Sequence, residues 1–129
     1  MVPLNHLAGS LINSYLALAV ERSNVLVNEI PADITVEYNQ HSVSSILNSL
    51  MKAVLLNTRG TRIRVSARRF GYVLVVELHK SGAVNGYAMA CSLQDVNSEA
   101  EKIGGYLNIS IQDKLTTVSF SFPNLPVAA

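Results

Sequence analysis

Residues 45–65 read SILNSLMKAVLLNTRGTRIRV, an amphipathic helix that stops at a glycine and leads into a strand. Taken back to Val43, the apolar residues Val43, Ile46, Leu47, Leu50, Met51, Val54 and Leu55 recur at the three- and four-residue spacing of one helical face. Asn39 or Ser42 can cap the start, and Gly60 follows the end. Asn48 and Lys52 stand four apart, so they stack on a common face beside the stripe. Beyond Gly60, Ile63, Val65 and Ala67 alternate with Arg62, Arg64, Ser66 and Arg68, which is the period of a strand with one buried face. A helix with one apolar stripe and a strand with one apolar face predict a layered α/β structure.

The flanking sequence extends this pattern. Leu4, Leu7, Leu11, Tyr15 and Leu18 predict one helix over residues 4–22. Val25, Leu26 and Val27 mark a short strand stopped by Pro31, and residues 34–38 are a second β candidate. Phe70-Gly71 makes a turn into residues 73–78, almost wholly apolar and expected to be a central strand buried on both sides. Residues 79–91, HKSGAVNGYAMAC, show no clear period and are expected to be mostly loop. A third helix is expected over residues 93–103, with Leu93, Val96, Ala100 and Ile103 inward and Gly104-Gly105 at its C-cap. Leu107, Ile109 and Ile111, then Val118, Phe120 and Phe122, alternate about an Asp113-Lys114 turn as a terminal hairpin closed by Pro123. Residues 124–129 are expected to fray. The expected fold is a two-layer α/β sandwich, a mixed and mostly antiparallel sheet with three helices on one face.

The 129 residues suit a single domain, 1–129, and 49% hydrophobic against 15% charged residues exclude intrinsic disorder. Cys91 is the one cysteine, so an intrachain disulfide and a paired-cysteine zinc site are both excluded. It is expected to be a buried structural thiol. No targeting or spanning segment stands out, since Asn5, His6, Ser10, Asn13 and Ser14 interrupt the apolar stretch near the start. A cytoplasmic protein without membrane insertion is expected. Charge is unevenly placed. Residues 52–80 hold seven basic residues against Glu77, a net of +6, while the rest of the chain carries a net of −5. A basic strand face is either solvated or a binding surface for an acidic partner. The scarcity of interleaved aromatics argues against nucleic acid.

The order of elements resembles the ATP-binding domain of bacterial sensor histidine kinases, in the histidine kinase, gyrase and heat-shock chaperone ATPase superfamily with its Bergerat-type fold. The stretch at 45–65 resembles the family's N-box helix, usually N-L-L-x-N-A followed by Thr, Gly and a strand. Asn48 matches the first box Asn, Ala53 the Ala, and Thr58 and Gly60 the segment after it. Residues 101–123, EKIGGYLNISIQDKLTTVSFSFP, resemble the family's closing helix, Gly-Gly, hairpin and Pro.

The resemblance also exposes departures. Where the family's second box Asn gives an oxygen to Mg²⁺, this chain has Lys52, which offers only donors and a positive charge. Where the family's D-x-G-x-G motif has an Asp that accepts from the adenine amino group, this chain has Lys80, followed by Gly82 and then Val84. The Gly-rich lid is short, with Gly86-Tyr87-Ala88-Met89 as a candidate remnant. The resemblance therefore implies a degenerate pocket at Asn48, Lys52, Lys80, Gly82 and Gly86, with Lys52 and Lys80 lining it together. It implies no cofactor, and a regulatory or protein-interaction role in two-component signalling. The alternative is a divergent but functional domain that binds ATP and Mg²⁺. A response regulator or kinase component is the implied partner, with Arg62, Arg64 and Arg68 as the docking row. His6, His41 and His79 lack metal-ligand spacing, and His6 lacks the family's phosphoacceptor context. No catalytic residue is assigned.

Overall fold

The computed structural model describes residues 2–82 and 86–125. The elements run β1 (Val2–Pro3), α1 (Leu4–Ser14), α2 (Leu16–Glu21), β2 (Val25–Asn28), β3 (Thr35–Val36), α3 (Gln40–Leu56), β4 (Arg62–Phe70), β5 (Val73–Ser81), α4 (Gly86–Glu101), β6 (Tyr106–Gln112) and β7 (Leu115–Pro123). Five strands form one sheet in the order β2-β4-β5-β7-β6. The β2–β4 pair is parallel and the other pairs are antiparallel. β1 and β3 form a separate two-stranded antiparallel sheet.

One face of the large sheet is covered. Ile63, Val65 and Ala67 of β4, Leu74, Val76 and Leu78 of β5, and Val118, Phe120 and Phe122 of β7 meet the α3 stripe in one core. From α3 come Val43, Ile46, Leu47, Leu50, Met51, Val54 and Leu55, all buried as the spacing predicts. Met89, Leu93, Val96 and Ala100 add the inner face of α4. Complete burial of a side chain such as Leu50 is worth about 1.5–3 kcal/mol. The two-layer sandwich with a mixed, mostly antiparallel sheet is therefore observed.

Several local expectations are corrected. The first helix breaks at Tyr15, whose N–H is shared between the Leu11 and Ile12 carbonyls at 3.1 Å each. The helical layer thus holds four helices among the described residues, not three. β5 is central but buried on one face only, since among the described residues no second layer covers Val73, Val75, Glu77 and His79. It also runs on through His79, Lys80 and Ser81, expected to be loop, because β4 and β7 pair with it on both sides up to Ile63–Lys80–Thr116 and Ser81–Leu115. The β4–β5 turn falls on Gly71 and Tyr72. α4 starts at Gly86, so the candidate lid remnant Gly86–Met89 forms its first turn, with Met89 fully buried. Cys91 is exposed, because the α4 face inward is the one carrying Met89 and Leu93. Asn39 precedes α3 in left-handed conformation and makes no side-chain cap bond.

Two junctions set the geometry. At the end of α4, Gly105 N–H donates to Ala100 O (2.9 Å) and Gly104 N–H to Glu101 O (3.0 Å), a Schellman cap with Gly104 at φ +79°. At the sheet's far end Asn124 is pinned rather than frayed. It donates to Thr35 O (2.9 Å), accepts from Glu37 N–H (2.7 Å), and its own N–H donates to Tyr72 O (2.7 Å). The remainder of the tail from 126 lies outside the described residues.

A Cβ placed on Gly105 would stand 2.4 Å from the Ser121 carbonyl oxygen, a backbone atom in the adjoining strand. Gly105→Ala is expected to lower stability by about 1–3 kcal/mol, measured as a fall in the urea midpoint. An unchanged midpoint would mean that β6 can move away from β7.

Candidate functional site

The exposed flank of α3, the kink at Tyr15 and the side of α4 that carries Ser92 and Val96 enclose an open groove of about 420 Å³. Tyr15, Asn48, Ser49, Lys52, Asn57, Ser92 and Val96 are among its lining residues. The break at Tyr15 lets the phenol reach across. Its hydroxyl donates to Asn48 Oδ1 at 2.8 Å and lies 3.2 Å from the Asn48 carbonyl oxygen. Burial raises the Tyr15 pKa above its ordinary value, against an opposing pull from the Asn48 bond. At the other end, Asn57 Nδ2 donates to Ala53 O (2.7 Å) and Ser92 Oγ (3.0 Å), tying α3 to α4.

The C-terminal end of α3 is held by buried polar bonds. Asn24 Nδ2 donates to Thr58 O (3.1 Å) and Thr58 Oγ1 (3.2 Å), while Asn24 Oδ1 accepts from Thr61 N–H (3.2 Å). Thr58 Oγ1 donates back to Val54 O at 2.8 Å, and Arg22 Nε donates to Thr58 O at 3.0 Å. Asn24 and Thr58 are each more than nine-tenths buried. These bonds close the last turn of α3 and fix where Asn48 and Lys52 stand above the sheet.

Lys52 and Asn48 line the groove, but Lys80 does not. Lys80 lies on β5 with Leu78 and Val76 on the covered face, and is only 7% exposed. Among the described residues nothing hydrogen-bonds or ion-pairs with its side chain. Burial alone lowers its pKa from the ordinary lysine value. Gly82 ends the strand at φ +92°, its N–H donating to Lys114 O at 2.7 Å. Gly86 opens α4, so four residues, 82–85, join β5 to α4. Residues 83–85, including Val84, lie outside the described residues.

Arg62, Arg64 and Arg68 stand on the uncovered face of β4, as the alternation predicts. Two of them are engaged. Arg64 Nη1 lies 3.6 Å from Glu29 Oε1, and Arg68 Nε donates to Glu77 Oε1 at 2.9 Å while its guanidinium lies 5.2 Å from the Phe70 ring centroid. Beside them His79 bridges two hydroxyls, Ser66 Oγ at Nε2 and Thr117 Oγ1 at Nδ1, each at 3.1 Å.

Sequence reasoning missed Thr116. Its register partner is Lys80, and its Oγ1 is buried with no hydrogen-bond partner. The signal was present, since Thr116 shares the period of Val118, Phe120 and Phe122. Tyr15 was read only as part of an apolar stripe, and its reach to Asn48 had no sequence signal.

No family model and no curated protein matches the sequence. Solved structures do match. The Acinetobacter baumannii histidine kinase AdeS superposes with a TM-score of 0.81 at 8% identity, over 95% of this chain and 66% of that one. The nucleotide-free catalytic domain of histidine kinase ThkA superposes at 0.75 with 14% identity, over 97% of each chain. Full-length ShkA, in complex with AMPPNP, superposes at 0.76 with 13% identity, over 99% of this chain and 31% of that one. The chain thus spans nearly all of an isolated catalytic domain, about two thirds of the AdeS chain and about a third of full-length ShkA. It has the histidine kinase-like ATPase fold.

Since the folded state disfavours the Lys80 ammonium, the unfolded chain binds more protons between the lowered pKa and the ordinary value of 10.5. Stability of the native protein therefore rises with pH across that window. Lys80→Met is expected to unfold at higher urea than the native protein at pH 7 and to lack that rise. A variant less stable at pH 7 would mean that the ammonium has a partner in the fold.

Proposed function

We propose that this chain is a histidine kinase-like domain that does not hold Mg-ATP in the ordinary way and acts as a regulatory, protein-interaction module in two-component signalling. The observation that carries this reading is Lys80, a lysine buried on the covered face of the sheet at the position that resembles the family's adenine-binding Asp. A donor there cannot accept from an amino group. Three further features support it. Lys52 offers no oxygen to a magnesium ion. Asn48 Oδ1 already accepts from Tyr15. The four residues between β5 and α4 leave little chain for a phosphate-covering lid. The residues present do not suit Mg-ATP.

For the partner, one matched structure is ThkA in complex with the response regulator TrrA, at 14% identity and a TM-score of 0.75 over 98% of this chain and 42% of that one. A response regulator is accordingly the partner class proposed for this chain. Arg62, with no ion pair among the described residues, and Arg64, loosely held by Glu29, offer their charge to an acidic surface. A divergent, functional ATP-binding domain is the second reading, favoured by the AMPPNP bound to ShkA.

Melting curves with millimolar ATP, with Mg²⁺ and then with EDTA, are expected to coincide with the ligand-free curve. A Mg²⁺-dependent rise of several degrees would establish the second reading instead. Binding to an acidic receiver domain at low salt is expected to weaken about tenfold or more in Arg62→Ala/Arg64→Ala, measured by calorimetric titration. Unchanged affinity would remove the arginine row from the interface.

A further inference from the structure

Two unsatisfied polar side chains face each other inside this protein. Lys80 and Thr116 are directly opposed on β5 and β7, and both point to the covered face. Opposed side chains of an antiparallel pair start from Cβ atoms about 4.5–5.5 Å apart. Lys80 is 7% exposed and Thr116 is 0% exposed. Among the described residues, Thr116 Oγ1 is the sealed side-chain polar atom without a hydrogen bond. A sealed hydroxyl nearly always finds a partner, and leaving one unpaired is costly.

We propose that Lys80 and Thr116 form a subsite for the carboxylate of a small-molecule ligand. The ammonium donates to one carboxylate oxygen and the Thr116 hydroxyl donates to the other. Charge decides the ligand class. On β4 the residue opposite Lys80 is Ile63, and Leu78 and Val118 lie next along the covered face. All three are apolar and buried. In such surroundings one ammonium is matched by one negative charge. A phosphate dianion leaves a surplus charge, and a neutral carbonyl leaves the ammonium uncompensated. The residual exposed surface of Lys80 is the way in. Burial holds the pKa of the Lys80 amine below its ordinary value. The two residues are independent of the arginine row on the opposite face.

The test uses the full chain and sodium acetate as the probe. At equal ionic strength and pH 7, the melting temperature is expected to rise by several degrees in acetate over chloride. The rise is expected to vanish in Lys80→Met and to shrink in Thr116→Val. A rise that persists in Lys80→Met, an equal rise in phosphate, or no rise at all overturns the proposal. As a reading that needs no variant, the Lys80 Cε and Thr116 methyl resonances of the native protein are expected to move with acetate. Resonances that stay fixed overturn it as well.

Discussion

A sheet covered on one face leaves each strand residue two places to go, under the helices or out to solvent. Along β5, Leu74, Val76 and Leu78 must go under, and the same period carries Lys80 with them. Along β7, Val118, Phe120 and Phe122 take Thr116 inward. A slip of one residue would relieve the lysine and the threonine, but it would turn the core residues of a whole strand into solvent. The arrangement therefore keeps a poor pair of polar residues in order to keep its core. The same parity turns Arg62, Arg64, Arg68 and His79 outward, so both chemical surfaces of the domain descend from a single constraint.

The helical layer is positioned by a second set of interactions. Asn24, Thr58 and Arg22 join the end of α3 to the start of the sheet with buried and half-buried hydrogen bonds that apolar packing alone would not orient. Tyr15 and Asn57 then tie α3 to the kinked first helix and to α4. With both flanks of α3 engaged, Asn48 and Lys52 lie in a shallow groove while Lys80 lies within the sheet. Asn48 and Lys52 on the one hand and Lys80 on the other thus stand in surroundings of different polarity.

Much of this was legible in order along the chain. The α3 stripe, the β4 alternation and the Gly104-Gly105 cap are local patterns with a single period each, and they stand where the spacing puts them. The misread stretches are those where pairing overrode local signal. His79–Ser81 lack a strand-like composition, but β4 and β7 flank them on both sides, so their backbone hydrogen bonds are made in the ladder. The first turns of α4, Gly86 to Cys91, show no clear period and look like loop, yet Met89 is drawn into the core. Tyr15 fits a continuous helix by period and breaks it in space.

By itself the sequence determined which residues could be inside, because hydrophobic period is written residue by residue. It determined the fold class, the charge of the β4 face, and the presence of Lys52 on the helix and Lys80 on the strand. Tertiary structure decided where those lysines went. A lysine's period can be read from one strand, but its depth depends on what covers the strand, and that is supplied by α3, α4 and the neighbouring β7. The unsatisfied hydroxyl of Thr116 became visible only there, since a missing hydrogen bond is a property of everything that surrounds an atom.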